Sequence, residues 1–99
     1  MKIKDIKPGL ENITITVRVI KVDRPREVMT KYGEAKVARA EVADDTGTIT
    51  LTLWRNQIDL VKPGSVIRIE NAFAQEYRGR LELSIGSKGK IVTLESVED

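Results

Sequence analysis

The chain has 99 residues, 40% of them hydrophobic and 32% charged, with a formal net charge of +2. It contains no cysteine and no histidine, which removes disulfides, thiol nucleophiles, imidazole general bases and the usual zinc sites. No apolar run approaches the ~18 residues of a membrane span, and the start lacks the charged-then-apolar form of a secretory leader. An intracellular, cytoplasmic and nucleoid-associated protein with no membrane partner is therefore expected, folded as one domain over residues 1–99.

Residues 1–11 carry Ile3, Ile6 and Leu10 around a Pro8-Gly9 turn and read as a cover for one end of the fold. Residues 12–22 form a first strand, with Ile13, Ile15, Val17 and Val19 alternating with Thr14, Thr16 and Arg18. Ile20 and Val22 carry the apolar character onto the second face. Residues 23–34 read as a long connection: Arg24-Pro25-Arg26 breaks the strand and Lys31-Tyr32-Gly33 supplies a turn. Residues 35–43 form a second strand, with Ala38, Ala40 and Val42 inward and Val37, Arg39 and Glu41 outward.

Asp44-Asp45-Thr46-Gly47 is a tight turn, and its two adjacent carboxylates are too few for a hard cation. Thr48-Ile49-Thr50-Leu51-Thr52-Leu53-Trp54 alternates without a fault, the signature of a strand buried on one face. The only tryptophan therefore points away from the core with the threonines. Residues 55–61 form a short helix that Lys62-Pro63-Gly64 ends, and residues 65–72 a fourth strand. Strict alternation places Phe73 beside Ile67 and Ile69 in the core unless a bulge intervenes. Residues 74–79 read as a polar hairpin tip holding Tyr77 and Arg78. Residues 80–85 form a fifth strand, with Leu81, Leu83 and Ile85 inward and Arg80, Glu82 and Ser84 outward. Gly86-Ser87-Lys88-Gly89 reads as a loop, residues 90–94 as a short strand, and the acidic end as frayed.

Five strands, a short helix between the third and fourth, and a long early connection describe an all-β, five-stranded closed barrel of the oligonucleotide/oligosaccharide-binding (OB) fold. Such barrels bind ligand on the face of strands two and three, between the connections joining strands one to two and four to five. Here those places hold Trp54, a basic segment and Tyr77-Arg78. Between Arg18 and Arg39 seven basic residues face three acidic ones, and outside the acidic last five residues the chain carries +5. The four aromatics are also unusual: Tyr32 and Tyr77 fall in polar connections and Trp54 on a polar face, whereas small β domains ordinarily bury such rings. Rings displaced outward among arginines and lysines suit base stacking and phosphate contact.

Several segments together are similar to a known family over nearly the whole chain. Ile6-Lys7-Pro8-Gly9, Val17-Arg18-Val19, Asp44-Asp45-Thr46-Gly47, Leu51-Thr52-Leu53-Trp54, Lys62-Pro63-Gly64, Ile69-Glu70-Asn71-Ala72-Phe73 and Tyr77-Arg78-Gly79-Arg80-Leu81-Glu82-Leu83 resemble archaeal single-stranded-DNA-binding proteins. The kin are the OB domains of archaeal replication protein A (replication factor A) and the simple crenarchaeal proteins. The resemblance implies single-stranded DNA as ligand, with bases stacked on Trp54, Phe73 and Tyr77; for Phe73 it opposes the alternation. The glycine-rich tail of the simple proteins and the zinc module of the larger ones have no counterpart here. Such a chain is either one domain of a longer protein, partnered by other replication protein A domains or subunits, or a small paralogue standing alone.

For each residue a plainer role stands beside the functional one. Trp54 could instead cover a barrel end, Phe73 fill the core, and Tyr77 and Tyr32 simply decorate turns. Arg78 and Arg80 either hold phosphates or pair with Glu76 and Glu82; Arg39, Lys31 and Arg26 are further phosphate candidates. Glu41, outward on the same sheet, does not suit an anionic ligand. The reading is a non-enzymatic, cofactor-free module that binds single-stranded DNA with little sequence preference in replication, recombination and repair. An OB domain that docks a protein, or one that binds RNA, is the alternative.

Overall fold

Alternating β-branched residues give the first strand its two faces. In β1 (Ile13–Val22), Ile13, Ile15, Val17 and Val19 are buried and the residues between them exposed, the pattern of a strand wetted on one side. The structure, a computed structural model, describes residues 1–96, Ser87 by its backbone alone; the acidic end expected to fray lies largely outside the described residues. A single 3₁₀ turn (Ile3–Asp5) precedes β1, and β2 (Arg26–Thr30), β3 (Gly33–Asp44), β4 (Gly47–Trp54), α1 (Gln57–Leu60), β5 (Val66–Tyr77) and β6 (Arg80–Glu95) follow it.

β1 pairs with both β3 and β5, which closes β1, β5, β6, β4 and β3 into a five-stranded barrel. All of its pairings are antiparallel except β4 with β6, which run parallel over Thr50–Glu82, Leu51–Leu83 and Thr52–Ser84. The core is aliphatic: Ile13, Leu51, Leu53, Ile67, Ile69 and Leu83 are fully buried, and none of the four aromatic rings is. The inward residues expected of the second and third strands, Ala38, Ala40, Val42, Ile49, Leu51 and Leu53, are all buried. Among the described residues no helix is long and apolar enough to cross a membrane.

The first correction concerns residues 23–34, which are not an open connection. Arg26–Thr30 pair with Gly33–Val37, so the segment is a hairpin extending β3 beyond the barrel, with Lys31 and Tyr32 at its tip. The Tyr32 backbone N–H donates to Thr30 Oγ1 (3.1 Å), and that hydroxyl donates to the Gly33 carbonyl (2.7 Å). The tip is thus closed by a side chain rather than by a glycine pair. β2 is the sixth strand of the sheet but stands outside the closed ring.

Two corrections concern β5 and β6. The hairpin tip expected at residues 74–79 shrinks to Arg78-Gly79, both at positive φ (53° and 78°), the type I′ geometry that matches strand twist. Tyr77 is accordingly a strand residue, paired with Arg80. The loop expected at residues 86–89 is strand, so the short strand at 90–94 is the far half of one continuous β6. Gly89 makes this possible: a Cβ there would lie 2.5 Å from Ile85 Cγ2 and 2.9 Å from the Glu70 carbonyl.

Opposite that point, Asn71 takes φ 55°; there β5 slips by one residue against β1, and its partner on β6 jumps from Lys90, opposite Glu70, to Ile85, opposite Ala72. Asn71 is tolerated there because asparagine enters the left-handed region more easily than most residues. The slip reverses the alternation. Ile69, Ala72 and Ala74 are all buried, and Phe73 turns to the outer face, paired with Ser84 and on the same side as Gln75 and Tyr77. Alternation alone had placed it in the core.

Candidate nucleic-acid interface

The outer faces of β3, β4 and the ends of β5 and β6 form a floor that is more enclosed than alternation suggests. Val37, Thr52, Glu82 and Ser84 all point outward from the barrel, yet all four are buried. They are covered because the β2–β3 hairpin folds up on one side and Tyr77 stands on the other. The result is a cleft of about 390 Å³, with Arg24, Arg26 and Val28 on the hairpin side. Arg39, Thr52 and Glu82 form its base, and Trp54, Gln75 and Tyr77 complete the wall. A second, more open groove of about 550 Å³ lies past the tryptophan, between Thr30 and Tyr32 of the hairpin and Arg55, Asn56 and Gln57 at the start of α1. Trp54 lines both.

Trp54 is held at this junction from two directions. Across the strand it pairs with Val37, and its backbone N–H donates to Gln57 Oε1 (3.0 Å). Arg55, at φ 51°, turns the chain sharply away after the tryptophan, and its N–H donates to the Lys36 carbonyl (2.9 Å). The ring is half-buried, wedged enough to be fixed and open enough to be met.

The charged groups on the floor are tied together. Glu82 Oε1 accepts from Thr52 Oγ1 (3.1 Å), and Oε2 faces Arg80 Nε at 3.3 Å and Arg39 Nε at 3.7 Å. The Arg39 guanidinium lies 5.7 Å from the centre of the Tyr77 ring and that of Arg78 lies 5.3 Å from it, both within cation–π range. At the hairpin tip the Lys31 ammonium sits 5.2 Å from the Tyr32 ring. Gln75 Nε2 donates to Ser84 Oγ (3.3 Å), completing a polar base beneath the rings.

Of the residues singled out from sequence, all but Phe73 fall into two groups about these clefts. Arg26, Arg39 and Tyr77 line the first cleft, Arg78 lies against Tyr77, and Arg80 reaches the base through Glu82. Tyr32, 81% exposed, lines the second groove with Lys31 beside its ring, and Trp54 stands between the groups. Phe73 is half-buried near Gly86, where an added Cβ would come within 3.7 Å of its Cε1. Arg80 takes its pairing with Glu82, and Glu41 stays half-buried outside both clefts. Arg24, Thr52, Gln75, Glu82 and Arg55 join the interface without having been singled out. Gln75 was findable in principle, two residues from Tyr77 on an alternating strand; the role of Glu82 depends on pairing across strands 30 residues apart.

A five-stranded ring of this topology, with an outlying hairpin and rings set among arginines over the middle strands, defines an OB-fold domain. Residues 6–93 match the family model described as single-stranded DNA binding protein Ssb-like, OB fold, and the chain belongs to that family. It is 39% identical over 98 residues to the single-stranded DNA binding protein Ssb of Saccharolobus solfataricus, covering 99% of this chain and 65% of that one. It is also 40% identical over 98 residues to replication factor A of Methanothermobacter thermautotrophicus, where the match covers 91% of this chain but 12% of the other. The chain thus spans just under two thirds of the first relative and a small part of the second. Among solved structures, the replication factor A related protein from Methanobacterium thermoautotrophicum superposes with a TM-score of 0.81 at 31% identity, covering 100% of this chain and 94% of that one.

Proposed function

We propose that this chain is a non-enzymatic module that binds single-stranded DNA with little sequence preference. Bases stack on Trp54, Phe73 and Tyr77, with Tyr32 extending the path along the hairpin. Arg26, Arg39, Arg78, Arg80 and Lys31 meet the phosphates. The strand crosses from the Tyr77 cleft over the tryptophan into the groove at Arg55. The observation that carries this reading is the position of Trp54, half-buried and lining both clefts. The family supports it, because its model is described by single-stranded DNA binding. Its setting is intracellular, on DNA exposed during replication, recombination and repair. Residues 1–99 act as one OB domain, alone or beside further domains or subunits of the replication protein A kind.

Trp54 is the only tryptophan, so its fluorescence reports on the site directly. Adding a single-stranded oligonucleotide at low salt quenches it, and affinity falls linearly in log–log against salt with a slope of about −0.7 per phosphate engaged. Trp54→Ala keeps the fold by circular dichroism and loses about 1–3 kcal/mol of binding, the worth of one stacked base. Unchanged fluorescence with every oligonucleotide at low salt sinks the proposal. An equal response to RNA of the same sequence would widen the ligand to single-stranded nucleic acid in general.

A further inference from the structure

A carboxylate at the base of a face meant for phosphates is out of place on charge alone. Glu82 is nevertheless there, 4% exposed, while Arg39 and Arg80 converge on one of its oxygens and the Thr52 hydroxyl donates to the other. Thr52 and Arg80 hydrogen-bond one oxygen each, and Arg39 faces the Arg80-bound oxygen as an ion pair at 3.7 Å. Arg39 in turn is the guanidinium set against the Tyr77 ring. Thr52, Glu82, Arg39 and Tyr77 therefore form one chain of contacts running from the barrel wall to an exposed ring. Among the described residues Glu82 is the only carboxylate paired with Arg39, whose side chain is 31% exposed.

We propose that Glu82 is a positioning residue for the DNA-binding face: it holds Arg39 and Arg80 side by side and, through Arg39, sets the Tyr77 ring for stacking. This rests on the single-stranded DNA reading and deepens it. The consequence has an unusual sign. Removing a negative charge from a phosphate-binding surface ordinarily tightens binding; here it weakens it, because two cations and a ring lose their seat.

Glu41 supplies the matched comparison. It lies on the same outward face of β3, two residues from Arg39, is half-buried and makes no ion pair among the described residues. Glu82→Gln and Glu41→Gln remove the same charge from the same face. Glu82→Gln is expected to bind a single-stranded oligonucleotide about tenfold more weakly, roughly the loss of one stacked base, and with a shallower salt slope. Glu41→Gln is expected to bind as tightly as the parent or more tightly. Arg39→Gln should cost affinity in the parent but almost none in the Glu82→Gln background, since the two act as a unit.

If Glu82→Gln binds as well as or better than the parent, as Glu41→Gln does, Glu82 is only a repelling charge and the assignment falls, leaving the DNA reading intact. No binding by the parent chain overturns both. Where Glu82→Gln does not fold, Arg39→Lys decides: it keeps the charge but loses the planar fork. A comparable loss of affinity supports the positioning role, and an unchanged affinity overturns it.

Discussion

Gly79, at the turn of the β5–β6 hairpin, and Gly89, ten residues on within β6, are required for different reasons. Gly79 sits at φ 78° with nothing within 4 Å of an added Cβ, so alanine there meets only backbone strain, about 1 kcal/mol. Gly89 is not at such a φ but is walled in by Ile85 and by the carbonyls of Glu70 and Asn71 at 2.9 and 3.0 Å. Because two of those three neighbours are backbone, they cannot swing aside. Gly89→Ala is expected to cost about 3 kcal/mol, the upper part of the range for overpacking, against about 1 for Gly79→Ala, as read from urea midpoints. The same two carbonyls frame the bulge that turns Phe73 outward. This is where reading the residues alone fell short: period-2 alternation counts positions, and one residue in the left-handed region at Asn71 shifts the count by one. The family resemblance pointed Phe73 outward, but no residue pattern within β5 did.

At the scale of elements, the barrel strands were legible because their inward positions are strictly apolar and their turns carry glycine, aspartate or proline. The β2 hairpin was not, since Arg26-Glu27-Val28-Met29-Thr30 lies outside the ring, buries no full side chain and follows a proline. The long β6 was divided by its glycines, which read as punctuation and are instead a concession to crowding. The N-terminal cover shows a third kind of link. Asp44, at the end of β3, accepts hydrogen bonds from the Thr46 hydroxyl and N–H (2.6 and 2.7 Å) and from the Ile3 N–H (2.8 Å), tying the 3₁₀ turn to the β3–β4 turn. Partial burial alone would raise its pKa, but those donors and the nearby Lys2 outweigh it and lower it from 3.8 to about 2. The folded value lies below the unfolded one, so the stabilisation is complete above about pH 4 and is lost as pH falls toward 2. Asp44→Asn should therefore lower the melting temperature at neutral pH, with the gap to the parent closing by about pH 2.

Over the whole molecule, a net charge of +2 says little about ligand, because the bias is local. Arg24, Arg26 and Arg39 line one cleft and Arg80 pairs with Glu82 at its base, whereas the Lys2–Asp45 and Arg68–Glu70 pairs neutralise other parts of the surface. The shortest ladder in the ring is its parallel one, three residue pairs between β4 and β6, joining segments about 30 residues apart. Short parallel pairings hold less well per residue than the long antiparallel ladders around them. Such a barrel is expected to open first along that line, and the line runs under the cleft, crossed by the Thr52–Glu82 hydrogen bond. A strand of DNA bound as proposed would act as a splint across a joint. In hydrogen exchange, those amides of residues 50–52 and 82–84 that bond across β4–β6 should open sooner in the free protein than those that bond across β3–β4, and should slow the most when an oligonucleotide is added.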